Sequence, residues 1–159
     1  MSSIPKAVIF GCAGTSLTQE EREFFTQNQP LGFILFARNI ENPDQLKSLI
    51  EDLKSTVTHQ NPPILIDQEG GRVARLKPPH WKAFPPANVF GEKANQDLEH
   101  AQLATYKNFS AIAQDLKELG ITVDCAPLLD LQVEGADQII GDRAGCWRTE
   151  ACERADGNR

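Results

Sequence analysis

The chain has few of the residues that usually form a metal site or a disulfide framework. Its 159 residues include only four cysteines and three histidines. No Cys-x-x-Cys spacing occurs, and no histidine lies at zinc-ligand spacing from a cysteine, so we expect neither a metal ion nor another cofactor. Two of the cysteines, Cys12 and Cys125, are predicted to be small buried residues in strands.

Long apolar runs and an excess of basic charge are also absent. No stretch of about 18 apolar residues occurs, and the apolar run near the start is too short for a signal peptide. The formal net charge is −6, whereas a protein that coats nucleic acid is basic. With 40% hydrophobic and 24% charged residues, the chain has a globular composition. We therefore predict a cytoplasmic protein with neither a nucleic-acid nor a membrane partner.

Short apolar runs alternate along the chain with segments of helical period, which is typical of βα units on a parallel sheet. Residues 77–87 contain four prolines and are predicted to form a long loop. The predicted strands are Ala7 to Phe10, Gly32 to Phe36, Ile64 to Ile66 and Ile121 to Ala126. The predicted helices are about 18–27 with a Thr18–Glu21 capping box, one that starts at Asn42-Pro43, and about 97–119 with Gly120 as its C-cap.

The spacing of these units indicates the fold class. Four units in about 140 residues average about 35 each, and eight would come to about 280, close to the ~250 of a (β/α)₈ barrel. We therefore predict an α/β TIM barrel of which this chain covers about the first four βα units. A doubly wound open sheet is the alternative, but the dinucleotide fingerprint GxGxxG is absent after the first strand.

The segment IDQEGGRVARL, residues 66–76, is the main candidate site. A buried apolar strand ends there in two acids, two glycines and two arginines. The glycine pair allows a tight turn or the close approach of a ligand. Carboxylates accept from hydroxyls and guanidinium groups donate in a rigid fork, so this set suits a polyhydroxylated or anionic ligand. An exposed, salt-bridged turn is the alternative interpretation.

Five segments in the same order resemble a known family. They are GFILFARNI (32–40), IDQEGGRVARL (66–76), HWKAFPPA (80–87), VDCAPLLDL (123–131) and IIGDR (139–143). Together they resemble the N-terminal half of the family 3 glycoside hydrolases, and above all its bacterial cytoplasmic β-N-acetylhexosaminidases of peptidoglycan recycling. The resemblance implies a TIM barrel that releases terminal β-linked N-acetylglucosamine from muropeptides with retention of configuration.

The resemblance also implies roles for particular residues. Asp67 is expected to hold ring hydroxyls, and Arg75 and Arg143 are expected to contact the sugar. Glu69 is not expected to be catalytic, because in the family the aspartate nucleophile and the histidine acid/base come from later βα loops, which no segment here matches. Asp130 is interpreted as a structural acid that accepts from loop amides, or as a further site residue. The three histidines, His59, His80 and His100, follow no strand and are interpreted as solvated or packing residues.

The likeness ends near Arg143, and residues 144–159 are predicted to be an aberrant tail. The tail has neither helical nor alternating apolar period. A frame-shifted coding sequence is the favoured explanation, and a naturally short protein with a surface tail is the alternative. We accordingly divide the chain into residues 1–143, part of a glycoside hydrolase barrel, and the tail 144–159, and we expect the chain to be inactive by itself.

Two other functions fit the same residues. The first is a non-catalytic half-barrel that binds a sugar or self-associates through its open edges. The second is a metal-assisted lyase or aldolase in which Asp67, Glu69 and Asp130 would bind Mg²⁺.

Overall fold

The computed structural model describes residues 4–132, 135 and 137–147. Its main sheet has four strands in the order β1-β2-β3-β4, and all neighbours pair in parallel. The strands are β1 Lys6–Phe10, β2 Pro30–Leu35, β3 Ile64–Ile66 and β4 Val123–Asp124. Sequential parallel strands joined by helices are the repeating unit of the barrel, so the predicted fold class is confirmed for about half of its circumference.

The helices begin and end at the residues that the sequence indicates. Helix α1 (Gln19–Asn28) has the reciprocal Thr18–Glu21 capping box, and α2 (Pro43–Ser55) has Asn42 as its N-cap with Pro43 in its first turn. The long helix α4 (Leu98–Leu119) begins after Asp97 and ends at Gly120, whose positive φ of 83° is the left-handed conformation of a C-cap. The short helix α3 (Asn88–Ala94) was not predicted.

The core lies between the sheet and helices α1, α2 and α4. Side chains alternate along a strand, so every second residue faces the helices. Phe33 and Leu35 of β2 are fully buried on this face together with Ile64 and Ile66 of β3. The helices contribute Phe25, Leu46, Leu49, Ile50, Leu53, Ile112, Leu116 and Leu119 to the same cluster.

The intervening strand residues define the other, inner face of the sheet, which would be the interior of a closed barrel. Ile34 of β2 and Leu65 of β3 lie in register there and are only half-buried. The parallel strands bring their carboxyl ends to one edge. The residues that follow each strand therefore meet around the same rim, where the active sites of such barrels collect.

Several predictions about strand length and about individual residues are wrong in detail. Strand β4 has two residues instead of the predicted six, because the chain leaves the sheet after Asp124. Cys12 is buried, but it follows β1, and the half-buried Cys125 follows β4, so neither lies within a strand. Tyr106 of the long helix α4 is 73% exposed. It lines the open groove between α3 and α4, so that part of the α4 surface is uncovered.

Beyond β4 the chain forms a second, two-stranded parallel sheet of β5 (Leu131–Gln132) and β6 (Cys146–Trp147), with a 3₁₀ turn at Gly141–Arg143 between them. Most of the predicted aberrant tail, residues 148–159, lies outside the described residues, and the boundary at residue 143 stays a prediction. No helix within the described ranges is long and apolar enough to cross a membrane.

Candidate functional site

The candidate site is formed by the loop that follows β3. Two residues past the strand, Gln68 turns inward and is 2% exposed. Its side-chain oxygen accepts from the backbone N–H groups of Arg75 and Leu76 at 2.7 and 3.0 Å, and its amide nitrogen donates to the Leu76 carbonyl at 3.2 Å. One buried side chain thus closes residues 68–76 into a fixed loop, and this loop determines where the Asp67 and Arg75 side chains project.

The two glycines of this loop are required by close packing against the proline-rich segment. Gly70 and Gly71 have positive φ values of 94° and 57°. A Cβ atom on Gly70 would lie 2.3 Å from the Pro85 carbonyl oxygen, and one on Gly71 would lie 2.6 Å from Cβ of Pro86. Neither position can therefore hold a side chain. The tight turn that the sequence predicts is present, and the segment that approaches it closely is the loop 77–87.

Asp67 and Arg75 form an ion pair at the mouth of the loop. The Arg75 guanidinium donates to Oδ2 of Asp67 at 2.9 Å, and both side chains remain about a quarter exposed. The Nε atom of Arg75 is buried and has no hydrogen-bond partner among the described residues. A partly exposed carboxylate lies beside a partly exposed guanidinium here, and this combination suits the hydroxyls of a sugar.

Glu69 makes a different contact, with the 3₁₀ turn that precedes β6. Its two oxygens accept from Nε and a terminal nitrogen of Arg143 at 2.9 and 2.7 Å, a bidentate pair. Glu69 is only 7% exposed. The hydrogen bond to Glu69 raises the pKa of the Arg143 guanidinium above its usual value. Glu69 thus positions Arg143 at the rim.

Arg72 extends this connection between the two loops. It donates to Oδ1 of Asp142 at 2.7 Å and to the Ile140 carbonyl at 3.2 Å. The distant segment 139–143 is therefore held against the β3 loop by two arginine–carboxylate pairs. The salt-bridged turn, one of the two alternatives for this segment, is therefore present in the structure.

Asp124, at the end of β4, is a site residue that the sequence reasoning missed. Its Oδ1 accepts from the backbone N–H of Gln68 at 2.9 Å, so it supports the β3 loop from the neighbouring strand. The pKa of the Asp124 carboxyl is raised to about 6, by desolvation above all and also by the charges of Asp67 and Glu69, against the lowering effect of the hydrogen bond from Gln68. Asp124 lies inside the predicted strand Ile121 to Ala126, and a charged residue within an otherwise apolar strand was the available signal.

Of the remaining predicted residues, Asp130 lies close enough to Arg143 for its charge to raise the pKa of that guanidinium, whereas His59 and His100 lie elsewhere. Asp130 is exposed, and among the described residues it accepts no hydrogen bond from a loop amide. His59 contacts the Leu31 carbonyl at 2.9 Å at the opposite end of the strands, and His100 pairs with Asp97 at the start of α4. No group of three or more metal-ligating side chains occurs in the part of the chain that the structure describes. The magnesium alternative therefore gains no support.

Comparison with known proteins gives one family and a consistent set of relatives. Residues 6–150 match the family described as Glycosyl hydrolase family 3 N terminal domain. A protein named Beta-hexosaminidase from Bordetella avium (strain 197N) is 36% identical over 143 residues, which are 88% of this chain and 39% of that protein. A protein of the same name from Nitrosomonas eutropha is 40% identical over 136 residues, or 83% of this chain and 37% of that protein.

Solved structures agree in fold. NagZ from Neisseria gonorrhoeae, crystallised in complex with N-trifluoroacetyl-D-glucosamine, superposes with a TM-score of 0.85 at 33% identity, covering 97% of this chain and 44% of that one. A family 3 β-N-acetylglucosaminidase from Paenibacillus sp. str. FPU-7 gives a TM-score of 0.78 at 29% identity, covering 94% of this chain and 28% of that one. The chain spans about two fifths of the length of the curated relatives that it matches.

Proposed function

Because the chain belongs to the family described as Glycosyl hydrolase family 3 N terminal domain, we propose that it forms the sugar-holding part of a β-N-acetylhexosaminidase barrel. The Asp67–Arg75 pair carries this proposal. It lies at the carboxyl end of β3, on the rim where barrel enzymes bind substrate, and both of its side chains remain partly exposed there. The names of the relatives add a hexosaminidase activity and, in one crystal complex, an N-acylated glucosamine.

Arg143 completes the proposed sugar contacts. Its guanidinium is held in a fixed orientation by Glu69, yet part of its side chain remains exposed at the rim. Asp67, Arg75 and Arg143 would therefore surround one ligand from two loops. We assign the substrate as terminal β-linked N-acetylglucosamine on a muropeptide derived from peptidoglycan, released with retention. A cytoplasmic location stays a prediction from the sequence.

No residue of this chain is assigned a catalytic role. Asp67 pairs with Arg75, and Glu69 pairs with Arg143. His59 contacts the Leu31 carbonyl, and His100 pairs with Asp97. The chain also has no segment that matches the family's later loops, which the resemblance expects to supply the nucleophile and the acid/base. We therefore expect the 159-residue protein to bind N-acetylglucosamine but to hydrolyse a chromogenic N-acetylglucosaminide at background rate. Enzymatic turnover by the purified chain would contradict this assignment.

Calorimetric titration with N-acetylglucosamine tests the binding role. Replacing Arg75 by alanine should weaken binding by about 1.5–3 kcal/mol, the range for hydrogen bonds to charged groups. Arg22→Ala is the matched control, because Arg22 pairs with Asp52 on the outer helices. Equal affinities for the wild type, Arg75→Ala and Arg22→Ala would remove Arg75 from the site.

A self-associating half-barrel is the second candidate, and two apolar grooves favour it. One, of about 470 Å³, lies between α3 and α4 near Pro127, and the other, of about 520 Å³, lies along α4 and the edge of β4. Strand β4 pairs only with β3 among the described residues. A second copy of the chain would cover both surfaces, and light scattering measures whether it does.

A further inference from the structure

One cysteine lies directly beside the candidate site. Strand β3 pairs with β4 in a register that places Ile66 opposite Asp124. The ladder continues past the last strand residue, because the Cys125 N–H donates to the Ile66 carbonyl at 2.8 Å. The next residues, Asp67 and Cys125, therefore lie side by side on strands about 4.8 Å apart. Cys125 is half-buried and its thiol is free, so the register brings a thiol to the rim beside Asp67.

The side chains of Asp67 and Cys125 meet on the inner face of the sheet. Ile66 is fully buried toward the helices, so alternation along the chain turns the next residue, Asp67, to the other face. Cys125 is its neighbour in the continued ladder and faces the same way. The Cys125 S–H group donates to the Asp67 carboxylate, which accepts because an ionised carboxylate has no proton to give. The end of β4 thus supplies a donor to the end of β3.

The ion pair with Arg75 uses only part of the acceptor capacity of Asp67. The guanidinium donates to Oδ2 of Asp67 at 2.9 Å, whereas an ionised carboxylate has two oxygens with about four acceptor sites. The torsion that turns an aspartate carboxylate is broad, so a single donor does not fix its orientation. A second donor from the neighbouring strand restricts this torsion and still leaves acceptor sites for the hydroxyls of a ligand.

The surroundings of Cys125 keep its thiol in the form that donates. Desolvation by burial raises the pKa of the Cys125 thiol above its usual value, and the charge of Asp67, the hydrogen bond to Asp67 and the charges of Asp124 and Glu69 act in the same direction. The two arginines of this rim are already paired with Asp67 and Glu69. At neutral pH the sulfur therefore carries a proton and no charge, whereas a thiolate there would repel Asp67.

We propose that Cys125 is a positioning residue of the sugar site, whose S–H group holds the Asp67 carboxylate in the orientation in which it accepts from the ring hydroxyls. This inference rests on the proposed function, because Asp67 must be the residue that holds the sugar. Cys125 has no part in bond cleavage. In this arrangement its thiol lies beside the bound sugar, so an occupied site should also shield it from reagents.

Substitutions that keep or remove the donor test this role. Calorimetric titration of the 159-residue protein with N-acetylglucosamine should show roughly fivefold weaker binding for Cys125→Ala, which corresponds to the loss of about one hydrogen bond. Cys125→Ser keeps a donor of similar size and should restore most of the affinity. Val123→Ala is the matched control, because it shortens a side chain in the same strand without removing a donor, and it should leave the affinity unchanged.

Alkylation by iodoacetamide, followed by mass spectrometry of the peptide that contains Cys125, measures the same contact from the side of the thiol. The thiolate is the reactive form, so the pH at which the rate rises reports the pKa of the thiol. Asp67→Asn removes the charge beside the sulfur and should move this midpoint to lower pH. Asp52→Asn, the same change on an outer helix, should leave it unchanged. In the wild type, N-acetylglucosamine should slow the alkylation of Cys125.

The outcomes separate this inference from the proposed function. If the wild type binds N-acetylglucosamine and Cys125→Ala binds it equally well, the positioning role is overturned while the sugar site stands. Equal weakening by Cys125→Ala and Cys125→Ser also overturns it, because the donor is then not the cause. If the wild type does not bind the sugar, the proposed function fails and the positioning role fails with it. If Cys125→Ala does not fold, judged by its circular dichroism, alkylation decides, and a midpoint that Asp67→Asn leaves unchanged contradicts the contact.

Discussion

The two central strands, β2 and β3, and the fourth strand of this half-barrel are built from the same kind of βα unit, yet they are covered by neighbours to very different degrees. Strands β2 and β3 are flanked by a strand on each side, and their outer faces are fully buried under α1, α2 and α4. Strand β4 has two residues and one neighbour among the described residues, and apolar grooves run along its edge and along α4.

The difference shows that a parallel strand depends on both of its neighbours. Each βα unit buries one side of its helix and strand against the unit before it and the other side against the unit after it. For β4 no following unit lies in the described part of the chain. The exposed Tyr106, Val123 and Leu129 are the result. Residues of the same apolar type are therefore core in one region and surface in the other.

The largest expected loss of stability is in the region of β2 and β3, where each strand has a neighbour on both sides. Phe33→Ala removes a fully buried ring that packs edge-on against Phe25, and it should lower the free energy of unfolding by about 3–5 kcal/mol. Tyr106→Ala, on the uncovered face of α4, should change it by no more than about 0.5 kcal/mol. Urea unfolding followed by circular dichroism measures both. Equal losses of unfolding free energy in the two variants would show that the two regions do not differ in packing.

An intermediate effect is expected at Asp124, where the two regions meet. Burial raises the pKa of this carboxyl from 3.8 to about 6, so folding favours its protonated form. The Asp124 carboxyl therefore contributes favourably to the free energy of unfolding below about pH 4, and this contribution is lost as the pH rises through about 6. Asn keeps an acceptor for the Gln68 N–H without the charge. Asp124→Asn should stabilise the protein by about 1–2 kcal/mol at pH 7.5, a value reduced for partial exposure.

Urea unfolding of the wild type and Asp124→Asn across pH 4 to 7.5 measures this linkage. The gain should be small near pH 4, grow up to about pH 6 and then stay constant. Asp52→Asn is the control for loss of a carboxylate outside the site, since Asp52 pairs with Arg22 on the outer helices. A gain that does not depend on pH would show that the Asp124 charge is not the cause.

The smallest effect on stability is expected for a substitution in the groove between α3 and α4, which should instead change the oligomeric state. Leu98 lines the groove between α3 and α4 and is 38% exposed, whereas Leu31 of β2 is 41% exposed and lies outside that groove. If the grooves join two copies, Leu98→Glu should reduce the mass measured by light scattering and Leu31→Glu should not. An acid is also tolerated at Leu98, the first residue of α4, by the helix dipole. A wild type that is monomeric at all concentrations would contradict self-association.

Local signals predicted the fold well where they act over a few residues. The Thr18–Glu21 capping box, the Asn42-Pro43 start of α2 and Gly120 at the end of α4 are present as predicted. Each depends on hydrogen bonds or backbone angles within one turn, so tertiary contacts hardly alter them. The length of β4 was overestimated, because strand length depends on partners that come from elsewhere in the chain.

The candidate site was predicted in part. The β3 loop and the glycine pair were recognised from residue types alone, and the pairing of Asp67 with Arg75 agrees with the expected clustering of charges. The partner of Glu69 was not predictable, because Arg143 is 74 residues away along the chain. Asp124 was missed for the same reason: its contact with Gln68 exists only when β4 pairs with β3.

By itself, the sequence determined the order of the βα units, their helix ends and the set of acids and arginines that follow the third strand. These follow from the period of apolar residues and from capping and turn chemistry, which are local properties of a chain. Only the tertiary structure decided which charges are paired and which apolar residues are covered. Those outcomes depend on contacts between distant segments, which form only when the parallel strands align and bring their ends to one rim.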